Sequence, residues 1–231
     1  MRIFDVVLAF HVAGASVALV SGALPILSRK GGRLHRRSGR LFTASLSLGV
    51  VAAFALSLMT GNRLLLTISV LTGFLMLTGL RAAAFRRGAR DPGAGALRCP
   101  GAIDWGAALL LAGFGVWLLC ASLHPADVTG LFFGAGSLLV AGRHVRVLRA
   151  LHPDWLLVHL GGMGGAYLAT VTAFLVVNVH FLPKPVVFIL PVLFGSALIT
   201  RASLRRARPR GGSTHQDGLG AREARPRLLV S

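Results

Sequence analysis

The stretch Ile3–Arg40 decides the fold: IFDVVLAFHVAGASVALVSGALPIL, almost wholly apolar from Ile3 to Leu27, runs straight into SRKGGRLHRRSGR, a loop dense in cationic residues. An α-helix rises about 1.5 Å per residue and needs about 20 mostly apolar residues to cross the hydrocarbon core of a bilayer. Ile3–Leu27 meets that length, and the basic loop behind it belongs at a headgroup surface.

The same pattern recurs along the chain. Leu41–Met59, Leu64–Phe85, Asp104–Leu123, Thr129 to about His144, Trp155–Asn178 and Pro185–Leu204 all read as spans, the fifth being the shortest. The expected fold is therefore all-α: a polytopic transmembrane helical bundle of about seven helices over residues 1–204, with no separate soluble domain. Residues 205–231 lack apolar periodicity and are expected to form a basic, disordered tail. The first span exceeds a signal-peptide core and shows no convincing cleavage site, so it is read as retained.

Charge supplies the orientation. The chain carries 25 Lys and Arg against 7 Asp and Glu, a net charge of +18. With the spans threaded alternately, every basic residue except Arg2, Arg63 and Lys184 falls on one face. The positive-inside rule makes that face cytoplasmic, with the N-terminus outside and the C-terminus inside, in a bacterial inner membrane. Charge distributed over helix-end loops reflects topology, and a nucleic-acid partner is not expected. The expected partners are the bilayer and its anionic headgroups, with Arg36, Arg37 and Arg40 grouped around Ser38, which reads as the N-cap of the second helix.

Cysteine chemistry is not indicated. Cys99 and Cys120 lie roughly 30 Å apart along the fourth span, too far to pair, and neither sits in a metal-binding spacing. Carboxylates are few, and Asp5, Asp91, Asp104, Asp127, Asp154, Asp217 and Glu223 all fall in loops, tails or first turns. With none at mid-membrane, an ion-coupled carrier is disfavoured, although histidine also relays protons.

Histidine is the ionisable residue the spans retain. His11 lies about 12 Å below the outer end of the first helix, on a face continued by Gly14, Ala18 and Gly22. His159 opens the run HLGGMGGAYLATVTAFLVVN, followed by Gly162 and Met163 at helical spacing, with Tyr167, Thr170 and Thr172 beyond. Two readings stand for each. Either the histidine is neutral and bonded to a neighbouring helix, with the glycines serving close packing, or the glycines clear room for a planar ligand. His35, His144, His152 and His159 gather toward the inner side, and His11, His124 and His180 toward the outer side. A di-haem transmembrane cytochrome has such an arrangement, and on that reading a b-type haem is held by His159 with His144 or His35, and His11 marks a second haem, a quinone pocket or a proton entry. Convergence of enough ligands for any other metal is not evident.

Taken together, His11 with Gly14, the loop residues Lys30, Gly31, Gly32, His35, Arg36, Gly39 and Arg40, and the late residues His159, Met163, Gly165, Ala166, Tyr167, Thr172, Ala173 and Phe174 resemble a bacterial family of multi-pass membrane proteins known as domain of unknown function 2306. The resemblance covers most of the chain up to Asn178. It implies a polytopic bacterial membrane protein and carries no established reaction. Three classes of function follow: a haem- or quinone-binding electron-transfer protein, a small-molecule carrier or exporter, and a membrane scaffold that binds lipid headgroups.

Overall fold

The computed structural model describes residues 2–88, 100–123, 127–150 and 153–207. Within them the chain is wholly helical: α1 Ile3–Leu27, α2 Arg33–Thr60, α3 Arg63–Gly88, α4 Ala102–Leu123, α5 Val128–Arg149, α6 Trp155–Asn178 and α7 Lys184–Ala207. The first six are long and apolar enough to cross a bilayer, whereas the apolar part of α7 is the shorter Val186–Arg201. This is the architecture of a multi-pass membrane bundle. The expected tail beyond Ala207, His124, His152 and Cys99 lie outside the described residues.

The ends of α1 and α6 coincide with the expected spans. The other five differ, α3, α4 and α7 by three residues or fewer at either end and two by more, those two for a common reason. The second helix begins at Arg33 instead of Leu41, and the fifth continues past His144 to Arg149. Arginine is a good helix former, so a backbone ladder continues through basic residues after the apolar stretch has ended. The true start of α2 is set by glycine: Gly31 sits at φ +79°, where other residues are strained, and Gly32 is the N-cap. Ser38 is therefore not a cap. It lies inside α2, 5% exposed, and its hydroxyl donates to the Leu34 carbonyl at 2.7 Å.

Helix ends account for the other polar groups nearby. The last carbonyls of a helix lack intrahelical partners, and at the end of α1 these are met by Lys30 Nζ, 2.7 Å from Pro25 O and 2.6 Å from Ile26 O. At the opposite helix ends, acids cap exposed amides. Asp127 accepts from Thr129 N, Asp154 from Leu156 N and Leu157 N, and Asp5 from Arg2 N. Every described carboxylate thus stands at a helix N-terminus, as expected.

Neighbouring helices run antiparallel, as shown by Ser47 against Met76, Arg63 against Ala121, and Gly195 against Leu168. The closest pairs are α1 with α2, α3 with α6, and α4 with α5; α7 lies on α6. Three small cores join them: Ala18, Phe42, Leu46 and Ala166; Phe74, Leu111 and Ala141; and Leu118, Phe133 and Phe188. Helix α5 packs along α4 but stands away from α6 and most of α7, and the space so left is where the site lies. Because the helices alternate, the basic helix ends gather at one end of the bundle, called here the basic end.

Candidate functional site

Three of the four candidate histidines are bound to main-chain carbonyls. His11 Nδ1 lies 2.9 Å from Gly49 O, His159 Nδ1 2.8 Å from Gly79 O, and His35 Nδ1 3.1 Å from Pro25 O. A carbonyl only accepts, so Nδ1 carries the proton in each. The glycine three residues after His11 and after His159 explains the close approach. A Cβ on Gly14 would stand 2.7 Å from Gly49 N, and one on Gly162 would stand 2.7 Å from Gly79 N. Each histidine thereby reaches over a glycine contact and bonds the carbonyl of the opposing glycine.

His144 differs. It projects from α5 against Phe74 of α3, ring centroids 5.3 Å apart and planes at 85°, is 7% exposed, and its Nε2 has no hydrogen-bond partner among the described residues. It lines a cavity of about 630 Å³ between α3, α5, α6 and α7, and is the one histidine among the lining residues. Thr72, whose hydroxyl is likewise buried without a partner, lines it too.

The cavity is amphipathic along its length. Toward the basic end it meets Arg143, Arg146 and Asp154, with Thr78 of α3 and Thr200 of α7. Away from that end its walls are Ile68, Leu71, Phe132, Phe133, Leu168 and Val192. At that end Phe133 packs edge-on against Phe188, centroids 5.7 Å apart. Along α5 the lining runs from Phe132 to Ala150, about 27 Å at 1.5 Å per residue, so the cavity is elongated along that helix. A cavity of that length has room for an extended hydrocarbon chain.

The other residues expected to line a ligand are spent on packing. Met163 lies against Gly79, Tyr167 against Gly22 and, at 6.0 Å, Phe42, and Thr170 is buried with its hydroxyl on Ala166 O. Gly14 is closed by α2. Gly162 alone of that set borders the cavity, joined there by Gly161 and Gly165. His11, His35 and His159 do not line it, so of the residues expected to hold the inner haem, His159 and His35 stand at separate helix contacts and His144 on the cavity wall, while His11, expected at an outer site, is at a helix contact too. No cluster of three or more His, Cys, Asp or Glu suited to a metal ion occurs among the described residues. Arg36, Arg37 and Arg40 are exposed at the basic end, Arg36 also donating to Gly31 O at 3.0 Å.

One feature escaped the sequence reading. Arg81 of α3 and Asp104 of α4 form a two-pronged ion pair, Nε to Oδ1 and Nη2 to Oδ2 at 2.7 Å, with the Asp104 side chain 1% exposed. Gly101 N also donates to Asp104 Oδ2 at 2.9 Å, and the guanidinium lies over Phe85, 5.1 Å from its centroid. The positive-inside pattern treats Arg81 as one of the topological charges. The signal available in sequence is that Arg81 and Asp104 end and begin consecutive spans, which puts them at one depth. No protein-family model, curated protein or solved structure matches this chain.

Proposed function

We propose that this protein holds a single-chain lipophilic molecule in the cavity beside α5, as a lipid-binding or lipid-carrying membrane protein. The observation that carries this reading is the cavity itself: elongated along α5, apolar through most of its length and polar at one end. A small-molecule carrier or a scaffold that engages lipid was expected alongside electron transfer, and the geometry favours the former pair. Haem is supported least, since among the described lining residues there is one histidine where a bis-histidine site needs two. A quinone's tail suits the cavity, and its ring carbonyls would have His144 as a donor.

The test is lipid content. Protein purified in mild detergent should carry about one chain-bearing lipid per polypeptide by native mass spectrometry. A Cβ on Gly136, which lines the cavity, would meet nothing within 4 Å. Gly136→Phe should therefore fold normally, fill the cavity and lose the lipid. A Soret band that shifts on reduction and disappears in His144→Ala would replace this reading with haem.

The orientation forms part of the proposal: the basic end is cytoplasmic, in a bacterial inner membrane, in keeping with the family resemblance, and Arg36, Arg37 and Arg40 face anionic headgroups there. Reporter fusions after Arg40, Arg98, Arg149 and Arg210 should all report from the cytoplasm; two periplasmic signals would overturn it.

A further inference from the structure

We infer that the molecule held in this cavity bears a phosphate head, seated between Arg143 and Arg146 at the basic end. The inference rests on the chain-binding reading and names the class of molecule bound. Arg143 reaches from α5 toward α6: its Nη2 lies 3.8 Å from where a Cβ on Gly161 would stand, so the far wall at that level is bare backbone. Arg146 lies one turn further on the same face, and side chains three apart on a helix have Cβ atoms about 5–6 Å apart. Both arginines line the cavity, and neither has a hydrogen bond or ion pair among the described residues.

Among the described residues, the other charged groups near this end of the cavity are engaged elsewhere. Asp154 lines it, but its Oδ1 accepts from Leu156 N and Leu157 N at 2.9 and 3.3 Å and neutralises the start of α6. Arg81 and Asp104 neutralise each other, with the guanidinium over Phe85. What remains is two guanidinium groups at the basic end of a mostly apolar cavity. An alcohol or quinone head leaves both without an anion, and a carboxylate can engage one in the paired geometry that guanidinium favours. A phosphate presents three acceptor oxygens and can bridge two guanidiniums. Ser196 and Thr200 of α7 add hydroxyls on the same cavity.

Two sources share this chemistry, a one-chain glycerophospholipid and a prenyl phosphate, and the experiment separates them. Detergent-purified full-length protein is titrated with an acyl lysophosphatidate, a prenyl monophosphate, and the alcohol of each chain. Each phosphate should bind ten- to a hundredfold more tightly than its alcohol, the range for charge-assisted hydrogen bonds, and the tighter phosphate identifies the source. The double variant Arg143→Gln/Arg146→Gln should erase that preference while leaving alcohol binding unchanged, and added salt should weaken only the phosphates. Equal binding of phosphate and alcohol by the native protein, or a preference that survives in the double variant, overturns the inference and leaves chain binding intact. If Gly136→Phe binds all four probes as the native protein does, the cavity reading falls and takes the inference with it.

Discussion

Helix α1 meets α2 much as α6 meets α3. In each, a histidine is followed three residues later by a glycine that closes on a partner glycine, Gly14 on Gly49 and Gly162 on Gly79, and the histidine bonds that partner's carbonyl. Even the next contact repeats: a Cβ on Gly14 would stand 2.8 Å from Ser45 O and one on Gly162 2.7 Å from Leu75 O, each carbonyl one turn before the partner glycine. Because α1 and α6 run in opposite directions, the two clamps sit toward opposite ends of the bundle, in the manner of inverted repeats. Their surroundings differ. The outer face of α1 is exposed apolar surface suited to lipid, whereas α6 carries Gly161, Gly162 and Gly165 along the cavity and α3 is tied onward to α4 by Arg81. A device that recurs away from this cavity is a packing device, and chemistry belongs to what lies beside its second copy.

The tie through Arg81 is where the two clamps should differ most. Arg81→Ala would leave Asp104 buried without its counter-charge, and breaking a buried pair in this way costs about 3–5 kcal/mol. Thermal or denaturant unfolding in detergent should show that loss, and Arg81→Leu/Asp104→Leu should recover most of it. A loss below about 1 kcal/mol would mean that Asp104 is hydrated, and the α3–α6 side would then be no stiffer than the α1–α2 side.

Sharper still is a matched pair of glycine substitutions. Gly14→Val and Gly162→Val each place a branched side chain against backbone that cannot yield, and overpacking of this kind costs about 1–3 kcal/mol. The losses should agree within about 0.5 kcal/mol of each other, the scatter normally tolerated for independent sites. Lipid content should fall only in Gly162→Val, measured on the folded fraction. Clearly unequal losses would break the equivalence of the clamps.

The spans were legible because hydropathy and length are properties of single segments, and α1 and α6 came out with their ends in place. The clamps were only half legible. His11 with Gly14 and His159 with Gly162 are visible as spacings, but nothing local to Gly49 or Gly79 says which histidine will meet it, since pairing between helices is a property of two surfaces. The Arg81–Asp104 pair was hidden for a related reason: tallying charge by side of the membrane treats each residue as solvated and discards which ones face each other. Ser38 misled because a serine among arginines suits a cap, while the glycines that actually start α2 stand just before them. The cavity could not be read at all, being a space left where α5 fails to follow α6.

The smallest effects should come from the histidines themselves, and they decide between packing and ligation. A polar contact between helices in a membrane averages about 0.6 kcal/mol, because the alternative states also find partners. The carbonyls of Gly49 and Gly79 lie inside helices that bond them along the backbone, so removing either imidazole leaves no orphaned acceptor. His11→Ala and His159→Ala should therefore each cost about 0.5–1 kcal/mol, alike at both clamps, and leave bound lipid unchanged. His144→Ala should cost little more, since its Nε2 forfeits no hydrogen bond among the described residues, yet it should change lipid occupancy because the side chain forms the cavity wall. If His159→Ala instead emptied the cavity while His144→Ala did not, the second clamp would be a ligand site in its own right, and its likeness to the first would be one of geometry without shared purpose.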